Sequence, residues 1–249
     1  MIEIKNSLAI SLMEKAGQIL KETFALLEKN IRPGISTKEL DKIAEEYIIS
    51  QGATPTEKGY CGYPASICAS VNEVIVHGIP SEKIILQEGD IISIDCVVCY
   101  KGYNADAART YPVGKISPEK ERLIKICEEC FYQGIAQAII GNRIGDISYA
   151  IQRHAESNGY SVIRELTGHG IGRNMHEDPN IPNFGAKGFG PIIKPGMAFA
   201  IEPMISIGKR NVVFDKHDGW TCRMKDGKPS AHYENTVIIT NEGVKIITL

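Results

Sequence analysis

No apolar run in this chain approaches the ~18 residues needed to span a bilayer. The opening residues, Met1-Ile2-Glu3-Ile4-Lys5-Asn6, lack the basic-then-apolar order of a secretory signal. The expected compartment is therefore the cytoplasm. Excess charge of one sign is also missing. A net charge of -2 over 249 residues gives no electrostatic reason to expect a nucleic-acid or anionic-membrane partner. Cysteine is present in an odd number, seven, spread over a long chain, which argues against a disulfide framework. Two pairs have CxxC spacing, Cys96/Cys99 and Cys127/Cys130. On a strand, residues three apart point to opposite faces, so Cys96 and Cys99 diverge. The stretch between the pairs also exceeds the usual zinc-ribbon gap of ~15–20 residues. Small buried side chains are the better reading for most of these cysteines. What remains is ordinary globular composition, 43% hydrophobic and 23% charged, in a chain long enough for one large core or two small ones.

The organising stretch is Ile91-Ile92-Ser93-Ile94-Asp95-Cys96-Val97-Val98, followed by Lys101-Gly102-Tyr103-Asn104-Ala105-Asp106. It reads as a buried strand, a tight turn and a return strand, with one acid on each strand. A fold-back at Tyr100-Lys101 would set Asp95 opposite Asp106, their Cβ atoms about 4.5–5.5 Å apart. Two carboxylates that close, beside Ile94 and Val97, repel each other unless a proton or a cation lies between them. The pair is read as half of a metal site, with two solvated acids at a hairpin end as the alternative.

Upstream, apolar positions at helical spacing (Leu8, Leu12, Ile19, Leu20, Phe24, Leu27) predict an amphipathic helix from about Lys5 to Lys29. Ser36 with Glu39 forms a capping-box pattern for a second helix to about Ser50. Tyr60-Cys61-Gly62-Tyr63-Pro64 is a loop, and a strand from Ser66 to Val76 delivers His77 beside Gly78 and Pro80. Past the hairpin, Arg109 to Gly114 reads as a turn. Ser117-Pro118-Glu119 opens a helix to about Ile140, and Ile147 to Ser157 forms another.

Here the chain repeats itself. Arg32-Pro33-Gly34 aligns with Arg143-Ile144-Gly145, Leu40 with Ile151, Ala44 with Ala155 and Glu45 with Glu156, at an offset of 111 residues. Gly89 precedes Asp95 as Gly196 precedes Glu202, each acid ending an apolar strand. Together these pairs suggest two similar α/β halves, roughly 1–115 and 116–249, in one domain spanning 1–249 and sharing a central site.

The second half carries Thr167-Gly168-His169-Gly170-Ile171-Gly172-Arg173-Asn174-Met175-His176. A dinucleotide loop would need a third glycine three residues after the second and a helix next, whereas Asp178-Pro179 follows. Glycines flanking a histidine are expected instead to let backbone pass close to a metal or substrate. Glu202 ends one strand. The last, Tyr233 to Thr240, carries Glu234 on the face of His232 and Thr236. Asp95, Asp106, His169, Glu202 and Glu234 thus form a set of four carboxylates and one imidazole, each at a strand end or beside a glycine turn. Four such carboxylates would be prohibitive together without cations. Two divalent ions offset that charge, and the oxygen-rich set suits Mn(II), Fe(II) or Co(II) ahead of Zn(II).

These residues carry a resemblance. Asp95, Asp106, Thr-Gly-His-Gly-Ile-Gly at 167–172, Ile-Glu-Pro at 201–203 and Tyr-Glu-Asn-Thr at 233–236 resemble the short bacterial form of the type I methionine aminopeptidases, over nearly the whole chain. The resemblance implies an α/β (α+β) pita-bread fold: two related halves, a central mainly antiparallel sheet and outer helices. It implies that Asp106 and Glu234 bridge two metals, with Asp95 on one and His169 and Glu202 on the other. It further implies hydrolysis by activated water rather than through an acyl-enzyme, with Glu202 shuttling the proton. His77 would contact the scissile amide and His176 the carbonyl oxygen. Tyr60, Tyr63, Cys68, Met175 and Trp220 would line the methionine pocket, and Asn72, Val74 and Ser230 would hold one Na⁺ or K⁺ ion. The implied substrates are N-terminal methionyl peptides of nascent chains with a small second residue, so that the chain's own Met1-Ile2 start stays uncut. The implied molecule is a monomer. A ribosomal partner follows from the role, although no motif for it is visible.

Four positions depart from the family pattern: Met175 where Phe is usual, Ala105 for Gly, and His232 and Asn235 where Gln and His are common. The last two are expected to change hydrogen bonding around the ligands and metal affinity with it. The alternatives are a proline-specific relative, a pita-bread protein used only for binding, and, least favoured, a zinc-ribbon nucleic-acid binder.

Overall fold

The computed structural model describes all 249 residues. Helices α1 (Ser7–Asn30) and α2 (Thr37–Ser50) come first, followed by the short strands β1 (Thr54–Pro55), β2 (Cys68–Val71) and β3 (Val74–Val76). The long hairpin β4 (Ile91–Tyr100) and β5 (Tyr103–Pro112) leads into α3 (Pro118–Ile135) and α4 (Ile144–Ser157). Then come β6 (Ser161–Val162), β7 (Thr167–Gly170), β8 (Glu177–Pro182), β9 (Ala198–Ile201) and β10 (Met204–Ser206). The chain closes with β11 (Val212–Phe214), β12 (Cys222–Met224), β13 (Ser230–His232), β14 (Glu234–Thr240) and β15 (Gly243–Ile246). No helix is long and apolar enough to cross a membrane.

The central sheet has nine strands in the order β1-β4-β5-β14-β9-β7-β8, with β2 added to β4 and β15 to β14, and its pairs are antiparallel. One apolar cluster joins α1 and α2 to β4 and β5 through Leu20, Phe24, Leu40, Ile92, Ile94 and Ala105. A second joins α3 and α4 to β9 and β14 through Phe131, Ile147, Ile151, Phe199 and Val237. Burying an aliphatic side chain of this size is worth about 1.5–3 kcal/mol. The two helix pairs thus brace the sheet at the strands that carry the acids.

Several sequence expectations shift. The hairpin turns at Lys101-Gly102, both at positive φ (47° and 82°), as a two-residue primed turn requires. Asp95 therefore pairs with Ala108, and Asp106 with Val97. The acids are diagonal neighbours on one face, not directly opposed. Residues 109–112 are strand, not turn. The stretch 66–76 is two strands, because Asn72 takes a left-handed conformation (φ 53°), which Asn tolerates better than most residues. Helix α3 stops at Ile135 rather than Ile140. Helix α4 starts at Ile144 rather than Ile147: with no Ser or Thr to mark the start, the Asp146 carboxylate accepts the Arg143 N–H at 2.7 Å and caps it.

The repeat also has a different register. Helices α2 and α4 both have 14 residues, and their N-caps Ser36 and Arg143 lie 107 apart rather than 111. The buried positions Thr37, Leu40, Asp41, Ala44 and Ile48 recur 107 later as Ile144, Ile147, Ser148, Ile151 and Ala155. The isolated bridges Ser36–Ile85 and Arg143–Ile192 recur at that spacing too, as do Asp95 and Glu202. An alignment at 111 slips by four residues, about one helical turn, and so still matched apolar with apolar.

Candidate active site

The sheet register sets the site. Asp95 on β4 and Glu234 on β14 both pair with Ala108 of β5, forming one row across three strands. His169 on β7 and Thr236 on β14 both pair with Ala200 of β9. Thr236 ties that second row to Asp106, its Oγ1 accepting the Asp106 N–H and donating to the Asp106 carbonyl, each at 2.8 Å. The rows are two residues apart on each shared strand and so face the same way. Alanine at 108 and 200 leaves the space between them open. Glu202, one residue past β9, completes the group, its carbonyl accepting from Asn183 Nδ2 at 2.8 Å. The five residues named from the sequence thus converge on one point.

Glycines 168 and 170 serve this packing rather than a ligand. A Cβ on Gly168 would stand 2.5 Å from the Ala200 carbonyl oxygen, and one on Gly170 would stand 2.1 Å from that of Asp178. The close approach expected at these glycines is therefore to neighbouring strands, and it holds His169 in the sheet. The His169 Nδ1–H donates to the Gly170 carbonyl at 2.9 Å. That leaves the Nε2 lone pair facing Glu202 Oε1 at 3.5 Å and Asp106 Oδ2 at 3.6 Å.

The electrostatics are those of charge removed from water. Burial pushes Asp95 up to about 6. Burial, reinforced by the Asp95 and Glu202 charges, holds Asp106 well above the usual carboxylate range. Burial and the charges of Asp106, Glu202 and Asp95 do this to Glu234, and burial alone to Glu202. Burial, then His176, lowers His169 to about 3. Buried oxygens Asp95 Oδ1, Asp106 Oδ1 and Glu234 Oε1 and both ring nitrogens of His232 have no hydrogen-bond partner. Unpaired polar atoms facing one another in this way fit cations. Two ligand triplets share Glu234: Asp106, His169 and Glu234, and Asp95, His232 and Glu234. Within each triplet the ligand atoms lie within 4.8 Å of one another.

The acids line a 680 Å³ cleft, whose lining also includes every methionine-pocket residue named from the sequence: Tyr60, Tyr63, Cys68, Met175 and Trp220. Trp220 meets Tyr63 edge-on at 5.1 Å and His77 at 5.9 Å. His77 sits at φ 59°, a left-handed conformation costing about 1–2 kcal/mol, and its ring reaches the cleft. The His176 ring lies 4.4 Å from His169, with Nδ1 2.9 Å from the Tyr60 hydroxyl. Burial lowers both His77 (to about 4) and His176, so each is neutral at pH 7. Asn72, Val74 and Ser230 lie outside this cleft. There Ser230 N–H donates to the Asn72 carbonyl at 3.0 Å, and Lys120 Nζ to Asn72 Oδ1 at 2.9 Å.

Sequence reasoning missed Glu57. It lines the cleft, 7% exposed, with Cys68 Sγ donating to its Oε1 at 3.3 Å. Burial, then the charge of Asp95, pushes its carboxyl well up. Nothing in Thr56-Glu57-Lys58 distinguishes it from a solvated loop acid. His232, read from the sequence as a neighbour of Glu234, has its ring inside the group of candidate ligands.

Unpaired carboxylates and imidazole converging on one face of a curled antiparallel sheet, in the lining of a cleft, define a metal-dependent hydrolase. Comparison with known proteins narrows the class. The model of metallopeptidase family M24 matches residues 11–241. A methionine aminopeptidase of Clostridium perfringens is 55% identical over 249 residues, covering 100% of this chain and 99% of the relative. One from Clostridium acetobutylicum is 51% identical with the same coverage. The crystal structure of methionine aminopeptidase from Rickettsia prowazekii superposes with a TM-score of 0.97 at 40% identity, covering 100% of both chains. The chain belongs to metallopeptidase family M24 and, within it, to the type I methionine aminopeptidases, and it has their pita-bread fold.

Proposed function

We propose that this chain removes the N-terminal methionine from nascent proteins and peptides whose second residue is small, acting as a metal-dependent exopeptidase on free N-termini. The observation that carries this reading is the convergence of Asp95, Asp106, His169, Glu202 and Glu234 in the lining of a cleft that Tyr60, Tyr63, Cys68, Met175 and Trp220 also wall. The five would hold two divalent ions, with Mn(II), Fe(II) or Co(II) favoured ahead of Zn(II) by the oxygen-rich set. Asp106 and Glu234 are assigned as shared ligands. When bound, such ions supply Lewis acidity, lowering the pKa of water and polarising the peptide carbonyl.

The side chains do the rest. Glu202, held high by burial, takes the proton of the attacking water and returns it to the leaving amine. With the Tyr60 hydroxyl donating to His176 Nδ1, the Nε2–H of that neutral ring is free to donate to the carbonyl oxygen as it gains charge. His77 holds the scissile amide, its ring meeting Trp220, which Tyr63 braces in turn. The substrate amine lies on the Asp95 side. The thioether packs against the aromatic and sulfur wall, where each S–aromatic contact contributes about 0.3–1.5 kcal/mol.

The remaining assignments follow the same reading. Residues 1–249 act as one catalytic domain built of halves near 1–115 and 116–249, the shared spacing of 107 supporting a common plan. Asn72, Val74 and Ser230 take one Na⁺ or K⁺ ion. The protein works as a monomer in the cytoplasm, where a ribosomal partner would bring it to nascent chains. The deciding assay is hydrolysis of Met-Ala-Ser and Met-Ile-Ser by metal-stripped protein, with each metal added back singly. Metal-restored cleavage of the first peptide alone, lost in His169→Ala, is expected. Folded protein inactive with every metal would sink the proposal.

A further inference from the structure

We propose that His232 is a sixth protein ligand of the metal centre, so that each of two ions receives one imidazole. The inference rests on the metallopeptidase reading above and changes its donor set, not its reaction.

Spacing is the first argument. His169 Nε2, an assigned ligand atom, lies 3.5 Å from Glu202 Oε1 and 3.6 Å from Asp106 Oδ2. His232 Nε2 lies 3.5 Å from the other Glu202 oxygen, Oε2, and 3.8 Å from Glu234 Oε2. Ligand atoms bound about 2.0–2.2 Å from one ion stand about 3.0–3.5 Å apart at octahedral to tetrahedral angles. The separations around His232 are near that range, and are at or beyond the outer limit of a hydrogen bond. The two imidazoles also divide the cluster evenly, His169 grouping with Asp106 and Glu234, His232 with Asp95 and Glu234.

Burial is the second. The His232 ring is 1% exposed, and neither nitrogen has a hydrogen-bond partner. A buried imidazole that only filled space would find an acceptor for its N–H, as His169 does in Gly170. The third is placement. The His232 N–H donates to Thr110 Oγ1 at 3.0 Å, and that hydroxyl donates to the His232 carbonyl at 2.9 Å. The backbone is thereby clamped two residues before Glu234, on the face that carries the ligands. A second nitrogen donor raises the centre's preference for Co(II) and Zn(II) over Mn(II).

The test is X-ray absorption on protein loaded with two equivalents of Co(II), counting imidazoles from their outer-shell scattering. Wild-type protein is expected to give one imidazole per cobalt on average, and His232→Gln half of that. Calorimetric titration should show His232→Gln binding one Co(II) at least ~10-fold more weakly, with its Mn(II) affinity less affected. Half an imidazole per cobalt in the wild type, or an equal count in wild type and His232→Gln, would overturn the proposal while leaving the five-ligand centre intact. No stoichiometric cobalt in the wild type would overturn both together. The wild-type count needs no variant, and circular dichroism of metal-free His232→Gln checks that it folds.

Discussion

Stripping the metal should make stability fall as pH rises above neutrality, and the size of that fall tests the electrostatic picture of the site. Two sets of groups pull in opposite directions. His77, His169, His176 and His232 have depressed folded-state pKa values, about 4, 3 and 4 for His77, His169 and His232. The unfolded state binds their protons more readily, so they add stability as pH rises from about 4 to 6.5. Asp95, Asp106, Glu202 and Glu234 have raised values. Their contribution is fully present below pH 4 and is lost as pH rises through the folded values, Asp95 near 6 and the other three held by burial well above the usual carboxylate range. Between pH 4 and 6.5 the sets oppose each other. Above 6.5 the histidines have no more to give, while the acids still lose protons that the unfolded chain released long before. One such proton gives a slope of about 1.4 kcal/mol per pH unit, or about 3–5 °C of melting temperature for a chain of this size. Calorimetry of chelator-treated protein from pH 6.5 to 8.5 is the assay, with Mn(II)-loaded protein alongside, whose carboxylates are neutralised by the ions. A flat or rising melting temperature in the metal-free protein would mean that the acids already ionise in a wet, high-dielectric site, and would refute the reasoning.

Trp220→Ala removes edge-on contacts with Tyr63 and His77 worth about 0.5–1.5 kcal/mol each. KM for methionyl peptides should rise about 5–30-fold, with a smaller change in kcat, in steady-state assays. Gly170→Ala drives a Cβ into the Asp178 carbonyl and should lower stability by about 3 kcal/mol and weaken metal binding, as read by denaturant titration with and without Mn(II). Asp41, 1% exposed, accepts the Ser66 and Ile67 N–H groups at 2.8 and 3.2 Å ahead of the strand bearing Cys68. Asp41→Ala leaves both unpaired and should cost about 2–5 kcal/mol by the same titration.

How much of this was legible in the sequence depends on whether a residue's role was local or came from its neighbours. Helix α2 could be read because its start is a local event: Ser36 and Glu39 cap one another whatever surrounds them. Helix α4 begins with Arg143 and an acid at 146, the same device with only one partner present, and its first turn went unread. The candidate ligand acids are visible because buried strands seldom end on carboxylates without cause. Their geometry is not, because a hairpin register hangs on a single turn: moving the fold-back from Tyr100-Lys101 to Lys101-Gly102 turns opposed acids into diagonal ones. Glu57 shows the limit most clearly. Its carboxyl is distinguished only by what surrounds it, Cys68 from a strand beginning 11 residues on and Asp95 from the next strand of the sheet, and neither contact leaves a mark on the residues beside Glu57. His232 lies between these cases. The sequence placed it on the face of Glu234 by simple alternation, but only the folding of β14 against β5 and β9 brings Asp95 and Glu202 to the same ring. A departure from a family pattern is cheap to notice in sequence. Its meaning is a property of distances, and here those distances make His232 a candidate ligand rather than a neighbour of one.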